Sequence, residues 1–304
     1  MKIGIDIGGS HIGVGLFDDK GEKLLVKKEV DILKEDKLKI EEFLIKNIVK
    51  LINKILEDRK LNINDIELIG IAAPGLVKKG VIIKSKNLNL SKFPICVELS
   101  KYFRVPIILR NDCKCAALAE RKFGNLKSYS NCLFISVGTG IGGAAFINGK
   151  LLETSRTTGF GIGHCIIKIN GKECTCGKKG CFEAYASIGS LKREVQKALK
   201  LNEKLTGKVL IELLKDEELS PILDPIKKEY ISNLSIGISN LINIFGPEAI
   251  ILGGSLVFYE DMFLEEIKDD IRKNEYLYNN EFFPKIIMAK LKNDAGMIGA
   301  TIEK

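Results

Sequence analysis

Residues 3–16 read IGIDIGGSHIGVGL, and this stretch decides the fold. Every second residue from Ile3 to Ile7 and from Ile12 to Leu16 is apolar, and Gly8-Gly9-Ser10 lies between the two runs. The period of two predicts a pair of strands, and the glycines predict a tight turn that joins them. Leu24 to Val30 predicts a third strand, so the chain opens with a meander.

A second stretch repeats this plan. Cys132 to Val137 predicts an apolar strand, residues 138–143 (GTGIGG) a glycine turn, and Ala144 to Ile147 the returning strand. Two α/β domains of similar plan are therefore expected, with their glycine turns facing one cleft. The apolar spacing predicts helices at residues 36–59, at about 190–200, 208–216 and 225–245, and a short one from about Asp294.

Length and composition fit a globular protein of two domains. The chain has 304 residues, 45% hydrophobic and 28% charged. Its net charge is +8, but the lysines are spread in pairs, which favours solvated faces over a nucleic-acid patch. No apolar run is long enough to span a bilayer, and the N-terminus lacks a signal-peptide core. We expect a cytoplasmic protein with reduced thiols and no nucleic-acid or membrane partner.

The two glycine turns are candidate phosphate cradles, because a turn without side chains exposes backbone N–H groups to phosphate oxygens. Asp6 could hold Mg²⁺ beside the first turn, directly or through water. Either turn alone could be an ordinary hairpin turn, but two with hydroxyls in a repeated frame favour nucleotide binding. Neither a Walker loop nor a Rossmann fingerprint is present. The candidate nucleotide-binding residues of these turns are Asp6, Gly8, Gly9, Ser10, Gly138, Thr139 and Gly140.

Three cysteines within eight residues form the pattern C-x-C-G-x-x-G-C at Cys174, Cys176 and Cys181. With His164 ten residues upstream, they predict a closed tetrahedral zinc site of the structural kind. The alternative is three unrelated free thiols, which would leave the loop with little to hold it. The other cysteines are interpreted as small, buried, apolar residues: Cys96, Cys113, Cys115, Cys132 and Cys165.

A carboxylate that could act as general base follows the predicted strand Val105 to Leu109. Asp112 opens a predicted helix that runs from about Lys114 to Phe123. Its position suits a helix N-cap, and it equally suits a base that takes the proton of an attacking hydroxyl. Spacing alone leaves both roles open.

Taken in order, these segments and several others resemble the ROK family of sugar kinases and sugar-responsive repressors over essentially the whole chain. The cysteine signature is highly specific, whereas the glycine motifs alone would be weak. The matching segments are Asp6 to Ser10, Ala73 to Val77, Asn87-Leu88, Arg110 to Asp112, residues 138–143, Gly163-His164, Cys174 to Glu183, Gly246 to Glu248, Leu252 to Gly254 and Asp294 to Ala300.

The resemblance implies a two-domain actin/hexokinase/Hsp70-like (ribonuclease H-like) α/β fold. It implies an N-terminal domain of residues 1–111 joined by 294–304, a C-terminal domain of residues 112–293 with the zinc loop, and a homodimer. It implies that Asp112 is the catalytic base and that Gly253 and Gly254 lie under the nucleotide of Mg-ATP. The sugar-binding residues that it implies are Asn87, Asn111, Asp112, His164 and Glu183.

One departure bears on the substrate. The family usually has Glu three residues before the zinc-ligand histidine, and this chain has Gly161. A lost hydrogen bond to a carboxylate, worth about 1.5–3 kcal/mol, should weaken sugar binding or change the preferred sugar.

The sequence therefore predicts an ATP-dependent kinase acting on the 6-hydroxyl of glucose or a related hexose. An N-acetylmannosamine kinase and a fructokinase are alternatives with the same catalytic residues. A sugar-responsive repressor is disfavoured, because the first strand begins at residue 2 and leaves no room for a preceding helix-turn-helix. A sensor that binds sugar without catalysis is the remaining alternative.

Overall fold

The computed structural model describes residues 1–18, 24–32, 39–153, 160–274 and 283–303. The described chain divides into two compact units. Unit 1 holds Met1–Lys127 with Asn293–Lys304 and Glu153, and unit 2 holds Ser128–Leu152 with Phe160–Lys292.

The strands of unit 1, numbered along the chain, are β1 Lys2–Ile7, β2 His11–Phe17, β3 Leu24–Asp31, β4 Leu68–Ala73, β5 Leu76–Lys78, β6 Val81–Ser85, β7 Leu90–Phe93 and β8 Ile107–Asn111. They form a five-stranded sheet with the order β3-β2-β1-β4-β8 and a three-stranded sheet with the order β5-β6-β7. The helices of this unit are α1 Ile40–Arg59, α2 Ile95–Ser100, α3 Asp112–Phe123 and α9 Ala295–Ala300.

Unit 2 repeats the arrangement with the order β11-β10-β9-β12-β13. Its strands are β9 Cys132–Val137, β10 Ile141–Ile147, β11 Lys150–Leu151, β12 Ala249–Gly253 and β13 Lys285–Met288. Its helices are α4 Phe182–Ala186, α5 Ile188–Ala198, α6 Gly207–Leu214, α7 Ser220–Phe245 and α8 Glu260–Asn274.

The predicted repeat is confirmed within each sheet. β1 pairs antiparallel with β2 and parallel with β4, and β9 likewise pairs antiparallel with β10 and parallel with β12. The central strands are apolar because both faces are covered, and every isoleucine of β1 is fully buried.

The predicted helix at residues 36–59 is α1, which begins at Ile40; residues 36–38 of the prediction lie outside the described chain. One side of α1, formed by Leu44, Ile48, Ile52 and Ile55, is fully buried in the core of unit 1. The spacing of three and four residues places these side chains on one helical stripe.

Unit 1 extends past the predicted domain boundary at residue 111, because α3 packs closely against α9. A Cβ placed on Gly299 of α9 would collide with the carbonyl oxygen of Cys115 in α3. The glycine lets the two backbones touch, so α3 belongs to the unit in which α9 lies.

Within the described ranges, no helix combines the length and apolar character that crossing a bilayer requires.

Candidate functional site

The carboxyl ends of three parallel strands meet at one edge of the unit 1 sheet. Asp6 of β1 lies opposite Ala72 of β4, and Ala72 lies opposite Arg110 of β8. The segments that follow these strands therefore emerge side by side, which is the usual place for ligands in open α/β sheets. This register brings Asp6 and Asp112 to the same edge.

Asp112 does not cap helix α3. The N-cap is Asn111, whose side-chain oxygen accepts a hydrogen bond from the backbone N–H of Lys114 at 3.2 Å. Asn111 Nδ2 donates to Gly75 O at 3.2 Å and to Asp112 Oδ1 at 2.9 Å, and Cys113 N donates to the same Oδ1 at 2.8 Å. Asp112 is thus oriented by its neighbours without being the cap.

Burial raises the pKa of the Asp112 carboxyl above its ordinary value, against the opposing effect of the hydrogen bonds from Cys113 and Asn111. A raised pKa makes the carboxylate a better proton acceptor, as a general base requires.

Asp6 has a pKa raised to about 7, mainly by burial and next by the charge of Asp112, with Lys27 acting in the opposite direction. Helix α9 packs directly on this carboxylate, since a Cβ on Gly296 would lie 2.8 Å from Asp6 Oδ2. The effect of the Asp112 charge on the pKa of Asp6 indicates that the two carboxylates lie near each other.

The turn at Gly8-Gly9-Ser10 is closed by a hydrogen bond from Gly8 N to His11 O at 2.9 Å. A Cβ on Gly9 would lie 3.7 Å from Cβ of Asn87, so Asn87 is adjacent to this turn. The predicted phosphate turn and one predicted sugar-binding residue therefore lie together in unit 1.

In unit 2 the second glycine turn lies beside a third. Gly138 N donates to Gly140 O at 2.9 Å and closes the turn that follows β9. β12, the parallel neighbour of β9, ends at Gly253 and Gly254 follows it, and a Cβ on Gly138 would lie 3.6 Å from Ser255 Oγ. Gly254 has φ +71°, a conformation that favours glycine. The predicted nucleotide-binding residues of unit 2 are thus brought together.

Glu183, at the start of α4, also reaches this turn. Its Oε2 accepts from Ile141 N at 2.9 Å, and its Oε1 accepts from Thr175 Oγ1 at 3.2 Å. Sequence reasoning missed Ile141 and Thr175, because a backbone N–H and an isolated hydroxyl carry no motif.

The predicted zinc ligands converge on one point. One ligand atom each from His164, Cys174, Cys176 and Cys181 lies within 4.8 Å of all the others. Cys176 Sγ and Cys181 Sγ are 3.6 Å apart, and Cys174 Sγ is 3.7 Å from His164 Nδ1. Tetrahedral zinc with bonds of about 2.3 Å to sulfur places its ligand atoms about 3.8 Å apart. The residues fit the ion in donor type, number and spacing.

Two glycines shape this loop. Gly177 has φ +93° and Gly180 has φ +81°. Cys174 N donates to Lys178 O at 2.8 Å and Gly177 N donates to Cys174 O at 2.9 Å, which closes the turn between the ligands. A Cβ on Gly180 would collide with Lys168 O, so only glycine fits there.

The prediction that the other five cysteines are buried was wrong for Cys165. Cys115 and Cys132 are buried, Cys96 and Cys113 are half-buried, and Cys165 is exposed. Cys165 O accepts a hydrogen bond from Phe182 N at 2.8 Å, which holds this backbone inside the loop while the side chain remains accessible.

Gly161 begins the short 3₁₀ turn Ile162–His164 with φ −77°. Any residue adopts this value, so the backbone does not require glycine at this position.

Comparisons with known proteins agree with this fold. The model of the ROK family matches residues 2–302. A xylose repressor of Caldicellulosiruptor bescii is 29% identical, over 98% of this chain and 76% of that protein. A glucokinase of Streptomyces coelicolor is 28% identical, over 99% of this chain and 96% of that protein.

The crystal structure of a ROK hexokinase from Thermus thermophilus aligns with a TM-score of 0.79 and 28% identity, over 99% of this chain and 96% of that one. The predicted actin/hexokinase-like α/β fold is confirmed.

Proposed function

Because this chain belongs to the ROK family, we propose that it is an ATP-dependent kinase that phosphorylates the 6-hydroxyl of glucose or a related hexose. The family includes kinases and repressors, as the glucokinase and xylose repressor relatives show. The kinase is favoured by the arrangement at the carboxyl ends of β1, β4 and β8, where Asp6 and Asp112 lie. Asn111 caps helix α3 and also orients the Asp112 carboxylate, which leaves that carboxylate available as a base.

In this proposal Asp112 takes the proton of the sugar hydroxyl as its oxygen bonds to the γ-phosphorus of ATP and the bond from that phosphorus to the β–γ bridging oxygen breaks, which releases ADP. Its Oδ1 is held by two donors, so the carboxylate is oriented before substrate arrives. Burial raises its pKa, which strengthens its pull on a hydroxyl proton.

The proposed nucleotide-binding groups are backbone N–H groups and small polar side chains. Gly8 to Ser10 in unit 1, and Gly138 to Gly140 with Gly253-Gly254 in unit 2, are turns whose amides suit phosphate oxygens. Asp6 is the proposed partner of Mg²⁺, which neutralises phosphate charge when bound.

The sugar-binding roles of Asn87, Asn111, His164 and Glu183 are part of the proposal. In the cluster it is Nδ1 of His164 that faces Cys174 Sγ, so Nε2 is the nitrogen proposed for a sugar hydroxyl. Zinc would orient this ring by binding Nδ1. The homodimer, the cytoplasmic location and the absence of a nucleic-acid partner stay predictions.

A sugar panel tests the activity. Zinc-loaded protein is supplied with Mg-ATP and, in turn, glucose, N-acetylmannosamine, fructose and xylose, and ADP release is measured. We expect at least one hexose to raise ADP release well above the sugar-free rate. If sugars bind in calorimetry but none raises ADP release, the chain is a sensor and the kinase proposal fails.

Asp112→Asn tests the assigned base with the sugar that the panel selects. We expect kcat to fall about a thousandfold, within the range for a lost general base, while the sugar Kd changes little. Asp261→Asn, at an exposed position in unit 2, is the matched control and should leave kcat unchanged. Unchanged turnover in Asp112→Asn would refute the role of this residue.

A further inference from the structure

The Glu183 carboxylate bridges the metal loop and the second glycine turn within unit 2. Oε1 accepts from Thr175 Oγ1 at 3.2 Å, and Oε2 accepts from the backbone N–H of Ile141 at 2.9 Å. Ile141 directly follows Gly140, and a Cβ on Gly140 would overlap the same carboxylate. A shift of the carboxylate would therefore be transmitted to the turn.

Thr175 stands between two metal ligands. Cys174 and Cys176 flank it, so binding both sulfurs to one ion fixes the backbone on either side of the threonine. The hydrogen bonds from Cys174 N to Lys178 O and from Gly177 N to Cys174 O shape the same turn from within. A metal bound to both sulfurs would add a restraint on each side of the Thr175 hydroxyl.

A second contact links the ligand set to the same peptide. Gly163 immediately precedes His164, and a Cβ on Gly163 would collide with Ile141 O. The N–H of Ile141 is thus bonded to Glu183, and its carbonyl oxygen packs closely against Gly163, which precedes a metal ligand. On its other side the turn is anchored by Gly189 N, which donates to Gly138 O at 3.1 Å.

We propose that Thr175 is a positioning residue that passes the order of the metal loop through Glu183 to the Gly138–Thr139–Gly140 turn, so that metal occupancy controls affinity for nucleotide phosphates as well as for sugar. The inference rests on the proposed function, in which this turn binds phosphate. The order of influence is metal, Thr175 hydroxyl, Glu183 carboxylate, Ile141 N–H and turn.

The test measures nucleotide binding without sugar and without turnover. The Kd of Mg-AMPPNP is determined by calorimetry for the wild-type chain, Thr175→Val and Thr175→Ser, each with its zinc content measured. We expect Thr175→Val to keep zinc and raise the Kd about tenfold, the size of one hydrogen bond to a carboxylate, and Thr175→Ser to stay within about twofold. Removing zinc should raise the Kd of Mg-AMPPNP for the wild-type chain but change it little for Thr175→Val. Both changes interrupt the same chain of contacts, so their effects should not add.

Hydrogen exchange at the Ile141 amide gives a readout that needs no nucleotide. We expect exchange about tenfold faster in Thr175→Val than in the wild-type chain or Thr175→Ser. If the wild-type chain binds nucleotide, and zinc-loaded Thr175→Val binds it equally well with unchanged exchange at Ile141, this inference alone is overturned. If the wild-type chain binds no nucleotide, the proposed function and the inference fail together.

Discussion

The two units place different chemistry on the same frame. Each sheet joins three antiparallel strands to two parallel ones, and each central strand ends in a turn closed by its first glycine N–H. The residue two places before that turn is Asp6 in unit 1 and Ser136 in unit 2. Unit 1 therefore has the Asp6 carboxylate, suited to a proton or a cation, where unit 2 has the neutral hydroxyl of Ser136.

The units also differ in how their sheets are covered. The paired residues Gly4 and Gly70 in β1 and β4 correspond to the paired residues Phe134 and Ile251 in β9 and β12. Cβ atoms on the two glycines would collide with carbonyl oxygens of α9, whereas Phe134 and Ile251 fill their own space as buried side chains. Close backbone contact in unit 1 lets α9 reach Asp6.

The largest effect that we predict in this comparison comes from removing that close contact. In Gly70→Ala the methyl group would overlap Ala300 O, and relieving the overlap requires α9 to move. We expect unit 1 to be destabilised by about 3 kcal/mol, the upper range for overpacking. Hydrogen exchange of β1 and β4 amides measures this within unit 1.

Ile251→Val is the matched control in unit 2, because it shortens a side chain without touching a backbone contact. We expect a cost of about 1 kcal/mol, seen in the exchange of β9 and β12 amides. Equal costs for the two substitutions would show that α9 does not depend on glycine.

The repeated frame could be predicted because it depends on local signals. Alternating apolar residues and clustered glycines specify strands and turns without knowledge of distant contacts. The cysteine spacing likewise predicted four ligand atoms that the structure brings together. Both predictions depend only on which residue types lie a few positions apart in the sequence.

Other features depend on contacts that leave no sequence signal. Asn111 and Asp112 are both good caps, so spacing could not tell which one caps α3. Cys165 is exposed although its residue type predicted burial, because exposure depends on the tertiary packing around the side chain. The link from Thr175 to Ile141 depends on a backbone N–H, which every residue except proline has.

The insertions that accompany the two frames are stabilised differently. In unit 1, residues 76–93 form the paired strands β5, β6 and β7. In unit 2, residues 160–181 have a short 3₁₀ turn, and their β pairing is limited to the bridges Ile166 with Cys181 and Glu173 with Lys179. A bound metal can take the place of the β-sheet hydrogen bonds that this segment largely lacks, because its bonds fix four positions at once.

We therefore expect Cys176→Ser to bind zinc more than 100-fold more weakly, since removing a ligand costs more than the 10- to 100-fold typical of its supporting residues. Cys165→Ser is the matched control, an exposed cysteine next to His164 that lies outside the ligand cluster. Titration against a competing chelator measures both affinities. Loss of zinc from Cys165→Ser, or its retention by Cys176→Ser, would show that the ligand set is wrong.

A smaller effect than those of Gly70→Ala and Cys176→Ser is predicted for Asp6, and it depends on pH. The folded pKa of this carboxyl is raised from 3.8 to about 7, so the folded state binds the proton more tightly than the unfolded state. The stability of the wild-type chain should then fall as the pH rises from about 4 to about 7. Asp6→Asn lacks this charge. Its gain in the free energy of unfolding over the wild-type chain should therefore be absent below pH 4 and complete above pH 7.

A pKa shift of this size corresponds to at most about 4 kcal/mol in the free energy of unfolding. We expect Asp6→Asn to gain about half of that free energy, because an amide reproduces the contacts of a carboxyl only in part. Ser136→Ala, at the corresponding position of unit 2, is the control and should show no such pH dependence. Urea denaturation at pH 4 and pH 8 measures both variants. A stability gain for Asp6→Asn that is equal at the two pH values would mean that the gain does not come from the buried charge. The ionised Asp6 carboxylate would then not destabilise unit 1, and the raised pKa would not describe its environment.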